Sequence, residues 1–184
     1  MVLPVEIIAQ LYVCPPSLSL SLLPSALEEL GLQDVDSVVV AFPPSPHSPE
    51  NMAAMKEVWK SVEQLVHDGV TETVGVADLM RPQLEELLSW ATIKPMTDQL
   101  NLAHCCIIPQ DLKDFSKNHN VTLNTHNDER DILPPPQLQA LVGGVCGNHD
   151  NQWGYSWATR YTSIIHMRGI IAHKGYLLEL QKTQ

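Results

Sequence analysis

The chain has 184 residues, 44% of them hydrophobic and 17% charged, enough apolar side chain for one sizeable core, which excludes a mini-protein and a disordered tail. Asp and Glu number 21 against 11 Lys and Arg, a formal charge of -10 with a pI near 5.1, so the basic stripe that tracks phosphates is missing and nucleic acid is not an expected partner. The longest near-apolar stretches, such as residues 35–44, fall far short of the roughly 20 that cross a bilayer, and no Lys or Arg precedes Lys56 to start a secretory signal; a soluble, intracellular chain without membrane contact is expected.

Residues 5–13 open the chain as an apolar, strand-length run. The Pro-, Ser- and Leu-rich stretch 14–23 carries no recognisable chemistry. Residues 36–42, with Ser37-Val38-Val39-Val40-Ala41-Phe42, read as a second strand buried on both faces. Pro43-Pro44-Ser45-Pro46-His47-Ser48-Pro49 then has to be a loop at its C-terminal end. A helix is predicted over 50–67, where Met52, Met55, Trp59, Val62 and Val66 share a face. Strand 71–77 and helix 81–91 follow, the helix with Pro82 near its start and Leu84, Leu87, Leu88 and Ala91 inward. Strand 98–103, a shorter helix opened by Pro109 with Leu112 and Phe115, and strand 121–125 complete the alternation. Pro134-Pro135-Pro136 and Gly143-Gly144 bracket a weakly periodic segment up to Trp153, read as a variable loop or short helix.

Strands separated by crossover helices imply parallel pairing, so the class is α/β within a single domain, 1–184. The pattern alone allows an open doubly wound sheet or part of a (β/α)8 barrel, although a complete barrel typically takes about 250 residues.

Several chemistries lack their signatures. Gly143-Gly144 and Gly147 have neither dinucleotide-loop spacing nor a P-loop lysine, and no Gly-x-Ser-x-Gly elbow occurs. The cysteines, Cys14, Cys105, Cys106 and Cys146, are too sparse for a disulfide framework, so reduced thiols are expected. His104-Cys105-Cys106 with Cys146 and His149 lacks the CxxC form of a zinc site, and no metal is expected. Packing is the leading reading of Cys105 and Cys106; a redox role is the alternative, since a strand end feeding a helix can lower a thiol pKa. Asn120-Val121-Thr122 is a formal glycosylation sequon placed at the start of a strand. Thr125-His126-Asn127-Asp128-Glu129-Arg130 puts polar groups after the fifth strand, where they line a site or, as Asn127 and Asp128 favour, close a turn. Arg160, Arg168, His173 and Lys174 form the one basic-leaning stretch, read as an anion or partner contact or as plain surface charge.

The motifs Asp36-Ser37-Val38-Val39-Val40 with Pro43-Pro44, Val74-Gly75-Val76-Ala77-Asp78-Leu79, Gln83-Leu84-Glu85 with Trp90-Ala91, and Lys94-Pro95 are joined by three more. These are Gln99-Leu100-Asn101-Leu102-Ala103-His104-Cys105-Cys106, Leu123-Asn124-Thr125-His126-Asn127-Asp128, and Arg168-Gly169-Ile170-Ile171 with Lys174-Gly175-Tyr176. In this order they resemble the aldo-keto reductase superfamily and, through the paired cysteines and Thr-His-Asn-Asp, its glutamate-cysteine ligase regulatory (modifier) subunit family. The resemblance implies a TIM-barrel-like (β/α)8 fold, N-terminally truncated by about two βα units, with exposed sheet edges.

The superfamily reduces carbonyls with a tyrosine acid tuned by lysine and aspartate, beside a histidine that orients substrate. On this resemblance the histidine falls on Ala41 and the lysine on Gln10, while the aspartate and tyrosine fall upstream of Met1; Tyr12 is not their substitute. No catalytic residue is therefore carried over. The resemblance implies a non-catalytic cytoplasmic regulatory subunit that binds the glutamate-cysteine ligase catalytic subunit as a heterodimer. It would raise glutamate affinity and relieve feedback inhibition by glutathione. Cys105, Cys106, His126, Asn127 and Asp128 are the redox or partner-contact candidates. Lys174 resembles a cofactor-phosphate lysine, leaving vestigial NADPH binding open but no required cofactor. The alternative, an NADPH-dependent reductase, calls for lysine and histidine where Gln10 and Ala41 stand.

Overall fold

The structure is a computed structural model and describes residues 5–12, 22–42, 49–103, 107–128, 132–146, 153–165 and 170–182. Strands β1 (Val5–Tyr12), β2 (Val35–Ala41), β3 (Thr71–Ala77), β4 (Thr97–Asn101) and β5 (Thr122–His126) alternate with helices α1 (Leu22–Leu30), α2 (Pro49–His67), α3 (Arg81–Trp90) and α4 (Gln110–Asn118). Helix α5 (Pro135–Cys146) and two long strands, β6 (Trp153–Ile165) and β7 (Ile170–Lys182), complete the elements. One seven-stranded sheet has the order β5-β4-β3-β2-β1-β6-β7. Its first five strands in chain order pair in parallel, as the crossover helices require, and β6 and β7 pair antiparallel.

Alternation along the strands separates two faces. Ala9 and Leu11, Val38 and Val40, Val74 and Val76, and Leu100 meet Leu23, Leu27, Trp59, Val62, Leu84, Leu87, Leu112 and Phe115 of the helices in one core. The opposite face carries a small apolar patch of Val39, Ala41 and Ala77 with Ile8. Trp59 is fully buried and donates its indole N–H to the Ile93 carbonyl at 3.0 Å. Glu63 of α2 accepts the backbone N–H groups of Thr92 and Ile93 at 2.7 and 2.9 Å, tying α2 to the chain that leaves α3.

Residues 22–30, to which the sequence reading gives no element, are helical, with Leu23, Ala26 and Leu27 buried at helical spacing. Of the two readings of the segment opened by Pro134, loop or short helix, the structure shows the helix, twelve residues running through Gly143-Gly144, with Pro135 and Pro136 in its first turn, where their missing N–H groups cost nothing. Asn120 of the sequon sits before β5 in a left-handed turn, φ 57°, rather than in the strand. The expected sheet edges are β5 and β7 among the described residues, since β6 pairs with β1 from Val5 opposite Ile165 to Tyr12 opposite Ala158. Of the loop read at residues 43–49, residues 43–48 lie outside the described residues, as does most of the stretch 14–23, while Pro49 is the first residue of α2 rather than loop, a position where its missing N–H costs nothing. Among the described residues no helix is long and apolar enough to cross a membrane.

Candidate functional site

The C-terminal ends of β3, β4 and β5 lie together, because parallel pairing sets Ala77 beside Gln99 and Asn101 beside His126. On the face away from the helix layer, Gln10 of β1 lies opposite Arg160 of β6, and Arg160 lies opposite Tyr176 of β7. Strand register thus gathers polar side chains from both halves of the sheet on one face.

Asp128, two residues past β5 and only 7% exposed, is the centre of the cluster. Arg160 pairs through Nη1 with its Oδ2, and His126 Nδ1 lies 2.8 Å from the same oxygen. A carboxylate only accepts, so His126 Nδ1 carries the proton. Lys174 Nζ donates to Asp128 Oδ1 at 2.7 Å and the Tyr176 hydroxyl donates to it at 3.2 Å. The second Arg160 nitrogen, Nη2, donates to the side-chain oxygens of Gln10 and, at 3.0 Å, Gln99. Asn101 holds the loop: its Nδ2 donates to the Asp128 carbonyl at 2.8 Å, and its backbone N–H donates to Asp78 Oδ1 at 2.6 Å. Asp78 has φ 59°, a left-handed conformation that Asp tolerates better than most residues and that its carboxylate contact helps to fix.

β5 and β7 stand at opposite ends of the strand order, yet Asp128 after β5 touches Lys174 and Tyr176 of β7. The sheet is therefore curled, and the ionic cluster spans its concave side. Burial pushes the His126 imidazole pKa below its ordinary 6.5, with Asp78 acting in the opposite direction and Arg160 and Lys174 reinforcing the fall. Burial, then Arg160, likewise lowers that of Lys174.

A second acidic group stands on the other face. Asp98 pairs with Val76 and faces the helix layer, wholly buried, with Oδ1 3.4 Å from the Leu79 N–H. Burial raises its carboxyl pKa from 3.8 to about 8, so it is protonated at neutral pH.

Of the residues singled out from sequence, His126, Asp128, Arg160 and Lys174 converge. Arg160 is buried rather than a plain surface charge, and Asp128 is an ion-pair acceptor rather than simply the cap of a turn. Asn127 is exposed beside them and His173 lies exposed on β7. Gln10 and Ala41 are buried on the concave face. Cys105, Cys106, His104, Glu129, Arg130 and Arg168 lie outside the described residues, as does the side chain of Cys146. Sequence reasoning missed Asp78, Asp98, Gln99, Asn101 and Tyr176 as individual polar contacts. The available signal was their place at strand ends, where α/β sites gather. Among the described residues no group of three or more His, Cys, Asp and Glu is placed to hold a metal ion.

Comparison with known proteins places this geometry. The pattern of the aldo/keto reductase family matches residues 23–126. The glutamate–cysteine ligase regulatory subunit of Homo sapiens is 36% identical over 159 residues, covering 85% of this chain and 58% of that protein. The chain thus spans little more than half the length of this curated relative. The glyoxal reductase of Bacillus subtilis is 31% identical over 98 residues, 53% of this chain and 33% of the enzyme. Among solved structures, the aldo-keto reductase MGS-M4 from a deep-sea metagenome superposes with TM-score 0.55 at 19% identity, over 65% of this chain and 42% of that one, a likeness of fold alone.

Proposed function

The chain belongs to the aldo/keto reductase family, and from that premise we propose that it acts without catalysis, as a cytoplasmic regulatory subunit bound to the catalytic subunit of glutamate–cysteine ligase. The observation that carries the reading is the 36% identity to the human regulatory subunit across 85% of the chain. Binding raises the partner's glutamate affinity and relieves its inhibition by glutathione. Both effects require tighter binding to the partner's active conformation than to its inactive one, a coupling of about 1–3 kcal/mol, or roughly 5- to 150-fold.

Gln10 and Ala41 support the non-catalytic part. They stand on the same face of neighbouring strands, where the family resemblance looks for lysine and histidine; Gln10 carries no charge to tune a tyrosine acid and Ala41 no ring to orient a substrate. The Gln10 oxygen is occupied by Arg160. The overlap with glyoxal reductase favours a second reading, NADPH-dependent reduction, which calls for a tuning lysine and an orienting histidine that these two positions do not supply. The Lys174 amine is engaged by Asp128, so vestigial cofactor-phosphate binding would compete with that ion pair. We assign partner contact to exposed Asn127 and to Cys105 and Cys106 rather than to the inward-turned His126 and Asp128. One sheet running from residue 5 to residue 182 supports treating 1–184 as a single domain.

The test is titration of the purified chain into the catalytic ligase subunit, following glutamate KM and co-elution on size exclusion. The expected outcome is a complex with lowered KM and no NADPH oxidation with carbonyl substrates. A folded chain that neither co-elutes nor shifts KM overturns the assignment.

A further inference from the structure

Asp128 behaves as a ligand that the chain supplies to itself. Its two carboxylate oxygens collect Arg160 and His126 on one side and Lys174 and Tyr176 on the other. All four donors sit on strands β5, β6 and β7, whereas the acceptor comes from the loop after β5. Without the Asp128 side chain, a guanidinium, an ammonium, a phenol and an imidazole N–H would still converge on one point of the concave face. That is a donor set for a carboxylate, whose two coplanar oxygens suit a guanidinium fork.

A second observation points to a ligand larger than one carboxylate. Gln10, 1% exposed, and Arg160, 5% exposed, each keep a buried donor, Nε2 and Nε, that has no hydrogen-bond partner among the described residues. The two side chains are bonded to each other, so one spare donor belongs to the Arg160 guanidinium and the other to the amide bonded to it. Buried donors are costly when unpaired, and here the site holds more donor capacity than Asp128 uses. Lys174, with a side chain 39% exposed, marks the side from which solvent reaches it.

We propose that Arg160, Lys174, Tyr176, His126 and Gln10 form a binding site for a small dicarboxylate, which the chain's own Asp128 holds closed and which a ligand enters by displacing it. Displacement would release the end of β5 from the β6–β7 hairpin, so occupancy is coupled to the curl of the sheet. The inference does not depend on the ligase reading, because its test uses this chain alone.

Asp128→Ala is compared with the unaltered chain by thermal unfolding in malonate, acetate, sulfate and chloride at constant ionic strength. In the variant, malonate raises Tm saturably, by roughly 5 °C at about a hundredfold above half-saturation, with acetate weaker. In the unaltered chain the tethered carboxylate competes, so half-saturation moves up about a hundredfold. A folded variant that ignores malonate overturns the proposal, as does one that responds equally to chloride. A stronger response to sulfate than to malonate overturns the carboxylate assignment in favour of a phosphate-like group. Should Asp128→Ala fail to fold, the Arg160 Nε–H resonance of the unaltered, ¹⁵N-labelled chain decides. It moves saturably with malonate if the site exists, and a resonance indifferent throughout the titration overturns it.

Discussion

Asp98 and His126 are held by burial in their neutral forms, and their effects on stability run in opposite directions with pH. The folded chain keeps a proton on Asp98 up to about pH 8, whereas the unfolded chain loses it near 3.8. Between those values the native state binds more protons, so this group makes stability fall as pH rises. His126, with its pKa depressed below 6.5, makes the unfolded state the better proton acceptor, so its contribution is lost as pH falls below that value. Asp98→Asn, which keeps an oxygen for the Leu79 N–H, is expected to flatten the decline across pH 4–8 and to add about 1 kcal/mol or more at pH 8, read from urea unfolding against pH. An unchanged slope would show that Asp98 is not the proton carrier. Neither environment was readable from the residue itself: Asp98 opens an ordinary apolar run, and only its pairing with Val76 turns the carboxyl toward the helices.

Elements were legible where periodicity was long or breakers were sharp. The valine run of β2, the i, i+3, i+4 face of α2 and the Pro82 start of α3 all lie where the residues indicated. Trp59→Ala removes a side chain with no exposed surface and its bond to Ile93; a loss of about 3–5 kcal/mol is expected in denaturant unfolding. Gly75→Ala tests the fit of β3 against β4, because a Cβ there would collide with Thr97 Oγ1 and meet the Thr97 carbonyl at 2.9 Å. The carbonyl cannot rotate away as a side chain does, so strand displacement and a loss of about 1–3 kcal/mol are expected. Helix α1, nine residues long like α4, escaped reading because it follows a Pro-, Ser- and Leu-rich stretch without a start signal as clear as Pro109, and α5 stayed open between loop and short helix because its paired glycines mimic a loop while Leu138 and Val142 hold its buried face.

At the scale of the whole molecule, the hairpin β6–β7 covers the flank of β1, and the Asp128 cluster ties that hairpin back to β5 across the concave side. Arg160→Met leaves Gln10 and Gln99 without their donor and removes one cation from the buried carboxylate. A destabilisation of about 3–5 kcal/mol is expected, with amide exchange in β6 and β7 accelerating before that in β2 and β3. Uniform acceleration would show that the cluster does not hold the hairpin selectively. The amino-acid sequence by itself determined the α/β class, the five parallel strands and the family, because crossover spacing, strand-length apolar runs and residue identities are local or linear properties. Tertiary structure alone decided that β6 pairs with β1, that Arg160 is buried and that Asp128 meets Lys174 across the strand order. Those contacts join residues as far apart in the chain as Val5 and Ile165, and their free energy depends on register, curl and desolvation, which no short segment encodes.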